Sequence, residues 1–98
     1  MNKIYISGQI SGLELTNAQR NFRHAAEAAE KLGGYEAVNP MEETPYNPFM
    51  KWSDYMRIGI KLLLNCDAIY MQDNYLKSKG AMLELKIAVS LGYKVIYG

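Results

Sequence analysis

The chain has one cysteine, one histidine and three prolines, and each scarcity removes a class of chemistry. With Cys66 alone, neither a disulfide framework nor a thiolate metal site can form within one chain. Cys66 precedes a strand pattern and reads as a small buried hydrophobe. His24 leaves no second imidazole for a metal site. Its place in a helical run beside Arg23 reads as a surface position rather than a member of a Ser-His-Asp set. No metal or redox cofactor is implied. Charge of one sign is also lacking: 11 basic against 10 acidic residues leave a net charge of +1. That excludes a field for polymeric nucleic acid or an anionic membrane, so anion recognition must be local. There is no apolar run of membrane-spanning length, and the sequence begins directly on a strand pattern without a signal peptide. A cytoplasmic protein is expected.

What is present fits one soluble domain over residues 1–98, with 49% apolar and 21% charged residues. Lys3-Ile4-Tyr5-Ile6-Ser7 is a β-branched and aromatic run ending at Gly8, a buried strand. Thr16-x-x-Gln19 has the form of a capping box, and Ala18, Phe22, Ala25, Ala29 and Leu32 then recur at helical spacing until Gly33-Gly34. Tyr35–Asn39 is a second strand, closed by Pro40. Residues 40–51 hold all three prolines and read as a loop, with the composition of a semi-rigid lid. A helix with an apolar face of Trp52, Tyr55, Met56, Ile60, Leu63 and Leu64 follows, with Asn47-Pro48 or Ser53 as its cap. Asp67–Met71 is a third strand, Asp73–Lys77 a loop, and a helix opening at Ser78 or Lys79 runs to Leu91-Gly92. Tyr93–Tyr97 is the last strand. The βαβαβαβ order predicts an α/β three-layer sandwich, flavodoxin- or Rossmann-like, with a four-stranded parallel sheet of order 2-1-3-4. Ligands bind such sheets outside the carboxyl ends of strands 1 and 3.

Candidate functional residues gather at that edge. Gly8-Gln9-Ile10-Ser11-Gly12 leaves strand 1 with the spacing G-x-x-x-G, which is neither a dinucleotide fingerprint nor a Walker A loop. It is either a plain tight turn or a glycine-permitted turn whose N–H groups and Ser11 approach a phosphate or sugar. Ser78-Lys79-Gly80 opens the third helix. Read alone, it is an ordinary serine cap with solvated lysines; its alternative is an anion site on free N–H groups. Glu84 places a carboxylate in a nearly apolar segment, with Gly80, Ala81 and Ala88 as its helical neighbours. It is either a surface glutamate paired with Lys79 or Lys94, or a carboxylate kept for work. Asp67, at the start of strand 3, has the place of a group that bonds backbone N–H. Asp73, at the strand's carboxyl end, is better placed for a ligand, and Tyr5 can reach the cleft.

Taken together, residues 4–12, Cys66–Tyr70 and Ser78-x-Gly80-x-x-x-Glu84…Ala88-x-x-Leu91-Gly92 resemble the nucleoside 2-deoxyribosyltransferase superfamily along almost the whole chain. The likeness is greatest to small phage- and prophage-borne members and to deoxynucleoside monophosphate N-hydrolases. The resemblance implies that Glu84 is a nucleophile attacking the anomeric carbon and that Tyr5 lies near it and the sugar. Ser78 falls where the hydrolases bind phosphate and the transferases carry aspartate. Three departures accompany it. Gly59 stands where the superfamily has a catalytic aspartate, and neither Asp54 nor Asp73 matches that spacing. Ser11 replaces an arginine of the hydrolases. The sequence also ends after the last strand, without the C-terminal segment that helps form transferase sites.

The expectation is therefore an N-glycosidic bond hydrolase or transferase acting on a 2-deoxynucleoside 5′-monophosphate. Glu84 and Tyr5 are its catalytic residues, and Gly8, Ile10, Ser11, Gly12, Asp73, Ser78 and Gly80 bind substrate. Its partner is a small-molecule deoxynucleotide. A homodimer or higher homo-oligomer is expected, because one short chain cannot cover all its apolar helices. The rival is a nucleotide-binding or sensing module that kept the pocket and lost turnover. A purely structural scaffold fits less well, since the polar residues cluster at one sheet edge.

Overall fold

Strand β1 (Asn2–Ser7) holds the centre of the sheet because it is apolar towards both faces. Ile4 to Ser7 are all buried, the near-continuous pattern that a strand covered on both sides requires. The structure, a computed structural model, describes residues 2–98. β1 pairs in parallel with β2 (Tyr35–Val38) on one side and β3 (Ala68–Met71) on the other, and β4 (Lys94–Tyr97) extends the sheet beyond β3. The resulting order, β2-β1-β3-β4, is the one the sequence predicts.

Alternation along β1 divides the core. Ile4 and Ile6 pack against Phe22, Ala25 and Ala29 of α1 (Leu15–Lys31). On the opposite face Tyr5 joins Ile69, Leu63 of α3 (Trp52–Leu64), and Ala81 and Ala88 of α4 (Lys79–Ser90). Helices on both faces make the expected three layers. Each fully buried Ile or Leu in them contributes about 1.5–3 kcal/mol.

Several boundaries differ from the sequence expectation, and each has a local cause. α1 starts before the predicted capping box: Glu14 is its N-cap without a side-chain bond, and Thr16 falls in the first turn. A turn closed by Leu13 N donating to Ile10 O at 3.2 Å, with Gly12 at a φ of +90°, brings the chain into the helix sooner. The helix ends as expected at Gly33, whose φ is +82°. The 40–51 loop contains a short helix, α2 (Pro40–Glu43), capped by the Asn39 side chain accepting from Met41 N at 3.0 Å. Proline at its first position suits that start.

Neither expected cap opens α3. Lys51 holds the N-cap position, and its backbone N–H donates to Asp54 Oδ2 at 3.0 Å. Asn47 closes a turn instead, accepting from Phe49 N at 2.9 Å, and Tyr55 OH donates to the Asn47 carbonyl at 2.7 Å. Asp67 accepts from Lys3 N at 2.9 Å and so ties the start of β1 to the start of β3. A 3-10 turn, Tyr75–Lys77, interrupts the loop before α4. Cys66 is buried, its Sγ bonded to Leu62 O, and burial pushes the thiol pKa up to about 11. It is an inert packing residue. His24 is exposed on α1. Among the described residues no helix is long and apolar enough to cross a membrane.

Candidate functional site

Side chains two apart on a strand share a face, so Tyr5 and Ser7 project to the same side of the sheet. Both reach Glu84. Tyr5 OH donates to Glu84 Oε2 at 2.6 Å, and Ser7 Oγ donates to Oε1 at 2.8 Å. One donor per oxygen is the arrangement that an ionised carboxylate, an acceptor only, can satisfy. α4 presents Glu84 from the other side and is fixed at its start by Ser78, whose Oγ accepts from Ala81 N at 3.0 Å. Glu84 is only 6% exposed and pairs with neither Lys79 nor Lys94. Lys79 lies over the Trp52 ring instead, with its ammonium 4.9 Å from the ring centroid.

Burial drives the Glu84 pKa up, and the bonds from Tyr5 and Ser7 offset part of that rise. Tyr5 is held well above its ordinary value by burial first, then by the Glu84 charge and the bond to it. The phenol therefore stays protonated and keeps donating at neutral pH. Removing it in Tyr5→Phe leaves Glu84 with one donor. The expected result is a loss of about 1–3 kcal/mol in stability at neutral pH, measured by urea unfolding. A carboxyl titration followed by NMR should place the variant's Glu84 above its wild-type pKa.

Glu84 and Tyr5 line a cavity of about 570 Å³ at the carboxyl end of the sheet. Gly8, Ile10 and Ser11 of the first loop line one side, and Ser78 and Gly80 line another. Gly12 and Asp73 do not line it: Gly12 serves the positive-φ turn, and Asp73 is exposed. Residues 40–56 supply much of the wall, including Met41, Tyr46, Trp52 and Met56. The small residues next to Glu84 also serve packing, since a Cβ on Gly80 would stand 2.9 Å from Met56 Sδ.

Gly59 is the informative neighbour. A Cβ there would lie 2.9 Å from Tyr5 OH and 3.1 Å from Glu84 Oε2. The backbone of α3 thus passes directly against the Tyr5–Glu84 pair, and a Cβ at position 59 would force that pair to shift. Asp54 and Asp73 do not line the cavity: Asp54 accepts from Lys51 N at the start of α3, and Asp73 is exposed. Sequence reasoning singled out Tyr5, Ser78 and Glu84 but passed over Ser7. The signal was present in the alternation of β1, which sets Ser7 beside Tyr5. Gln72 was also missed. Its backbone N–H donates to Ser7 O at 2.9 Å, and its buried Nε2 has no hydrogen-bond partner. Among the described residues no cluster of three or more His, Cys, Asp or Glu could hold a metal.

The family described as a domain of unknown function, DUF4406, matches residues 2–97. The chain belongs to that family. A search of curated proteins found no match. Among solved structures, this DUF4406 chain is similar to a 2-deoxyribosyltransferase of Bacillus psychrosaccharolyticus, with a TM-score of 0.67 and 20% identity. That match covers 97% of this chain and 70% of the other. A 2-deoxyribosyltransferase of Leishmania mexicana gives a TM-score of 0.69 at 20% identity, over 99% of this chain and 63% of the other. The fold is therefore 2-deoxyribosyltransferase-like.

Proposed function

We propose that this chain is a cytoplasmic N-glycosidase or N-glycosyltransferase of 2-deoxynucleoside 5′-monophosphates, with Glu84 as nucleophile. The observation that carries the reading is a buried carboxylate at a cavity of small-molecule size, with both oxygens held by donors from β1. The 2-deoxyribosyltransferase fold supports the same chemistry. A Glu84 oxygen attacks the anomeric carbon as the bond to the base breaks, giving a glycosyl ester. Water then releases the sugar phosphate, or a second base takes it. Tyr5 holds the carboxylate and lies against the sugar.

Ser78 is the proposed phosphate contact. Its Oγ already accepts from Ala81 N, which leaves its own proton free for a phosphate oxygen at the α4 N-terminus. Gly8, Ile10 and Ser11 line the same cavity and complete the proposed substrate site. The chain assembles as a homo-oligomer in this reading, which would cover exposed Leu64, Met82, Val89 and Leu91.

A panel of deoxynucleosides and their monophosphates, with free base measured by chromatography, tests the reading. Base is expected from monophosphates in preference to nucleosides. Ser78→Ala should lower kcat/KM for the monophosphate about 10–100-fold, the range of one charge-assisted hydrogen bond, and leave the nucleoside little changed. Equal losses on both would remove the phosphate assignment.

Gly59 supports a second reading, a nucleotide-binding or sensing module without turnover, because the aspartate that the superfamily resemblance requires is absent. Tight binding of a monophosphate without base release would decide for it.

A further inference from the structure

Among the described residues Glu84 is the only charged side chain lining the cavity; no lysine, arginine or histidine does so. A carboxylate 6% exposed and without a cationic partner is a costly arrangement. Its two hydrogen bonds soften that cost but bring no positive charge. We infer that this cavity takes N-glycosides whose heteroaromatic ring already carries positive charge, so that the ligand supplies the missing cation and its base departs neutral. This rests on the reading of Glu84 as nucleophile.

The lack of an acid points the same way. A neutral base that leaves with the bonding electron pair becomes an anion and needs a proton. Among the described residues the lining holds no carboxyl group besides Glu84 and no imidazole or ammonium, only weakly acidic hydroxyls. Tyr5 and Ser7 both donate to Glu84. Tyr55 OH donates to the Asn47 carbonyl. Gly59, which passes against Tyr5 and Glu84, has no side chain to supply an acid. A cationic ring needs no acid. The glycosidic bond breaks with its electron pair passing to the ring nitrogen, which neutralises the ring. A Glu84 oxygen forms the bond to the anomeric carbon. Water then attacks that carbon, the ester bond breaks back to carboxylate, and the proton leaves to solvent.

The walls suit such a ring. Tyr46 and Trp52 supply exposed aromatic rings, and Met41, Met50 and Met56 supply polarisable sulfur. Trp52 already shows the preference, with the Lys79 ammonium at 4.9 Å from its centroid.

The test compares 2′-deoxyadenosine 5′-monophosphate with its N7-methyl derivative, which differ by one methyl group and one charge. The N6-methyl derivative, equal in size and neutral, controls for the methyl. Dissociation constants are measured calorimetrically for the wild type and for Glu84→Gln, and base release is measured for the wild type. The N7-methyl nucleotide is expected to bind the wild type at least about tenfold more tightly than either neutral nucleotide, and Glu84→Gln should lose that preference. Its advantage in kcat/KM should exceed the ratio of the uncatalysed depurination rates by at least about tenfold. Equal binding of all three nucleotides, or a preference that survives in Glu84→Gln, overturns the inference. Should the wild type cleave none of them, the catalytic reading falls, and the binding comparison alone upholds or overturns the choice of a cationic ring. Should it cleave the neutral nucleotides as well as the cationic one after correction, the catalytic reading stands and the inference fails.

Discussion

Glu84→Gln is expected to abolish base release, lowering kcat by at least about 10³-fold, while the protein stays folded. A nucleophile lost outright removes the reaction path rather than one contact to the transition state, which is why the expected effect exceeds that of any hydrogen-bond partner. The amide keeps the shape of the carboxylate; one of the two hydroxyls can rotate to accept from its NH2 while the other still donates to its oxygen. Folding is therefore preserved, and the change has its own pH signature. Burial raises the Glu84 pKa in the folded state. Between the unfolded and folded values the native protein binds the extra proton, so stability falls as pH rises through that window. The contribution is fully present below the unfolded pKa and lost above the folded one. Glu84→Gln has no such group. Its stability relative to the wild type, measured by urea unfolding at a series of pH values, should rise as pH climbs through the raised Glu84 pKa. Activity of the wild type should rise over the same window, because the proposed nucleophile is the ionised form of Glu84. Tyr5, held well above its ordinary value, adds no descending limb near neutrality.

The second large effect is expected at Gly59. Gly59→Ala places a methyl group 2.9 Å from Tyr5 OH and 3.1 Å from Glu84 Oε2. Tyr5 is 2% exposed and Glu84 6%, so neither can swing away freely. A cost of about 1–3 kcal/mol is expected from this crowding, with a fall in base release of about 10–100-fold as the Tyr5–Glu84 bond is forced apart. Gly59→Asp should be worse. It adds a second carboxylate beside Glu84 on a Cβ that already crowds the Tyr5–Glu84 pair, and two like charges so close raise each other's pKa. Its destabilisation, read from thermal unfolding, should be greater at neutral pH than in mild acid, where the carboxyl groups can protonate. The superfamily resemblance alone would suggest that an aspartate restored at this position improves catalysis. The geometry requires the opposite, because here the α3 backbone occupies the ground that the aspartate would need. A Gly59→Asp variant as stable and active as the wild type would contradict it.

The contrast between Glu84 and Gly59 shows what the sequence could and could not convey. Strand order was legible because β1 is apolar on both faces and the helices carry clear periodicity. The spacing from Ser78 to Glu84 was legible too, since a cap and a carboxylate six residues later fix each other on one helix. Tertiary proximity was not. That Ser7 and Tyr5 meet the two oxygens of one carboxylate depends on how closely α4 packs on β1. That Gly59 is an approach point, rather than only a missing aspartate, depends on the path of α3. The caps of α1 and α3 were misplaced for a related reason. Thr16 and Asn47 both have capping chemistry, but the turn at Gly12 and the Asn47–Tyr55 bond set where the chain enters each helix. Its position after β3 points Asp73 to a ligand, yet it is exposed and does not line the cavity.

The most direct measurement is the identity of the residue that carries the sugar during turnover. Wild-type protein mixed with a cleaved deoxynucleotide, quenched in acid and digested, should yield one peptide heavier by a deoxyribosyl phosphate, with the modification on Glu84. Glu84→Gln should yield none. Base release accompanied by an adduct on another residue, or continued at the wild-type rate in Glu84→Gln, would contradict the assignment of Glu84 as nucleophile.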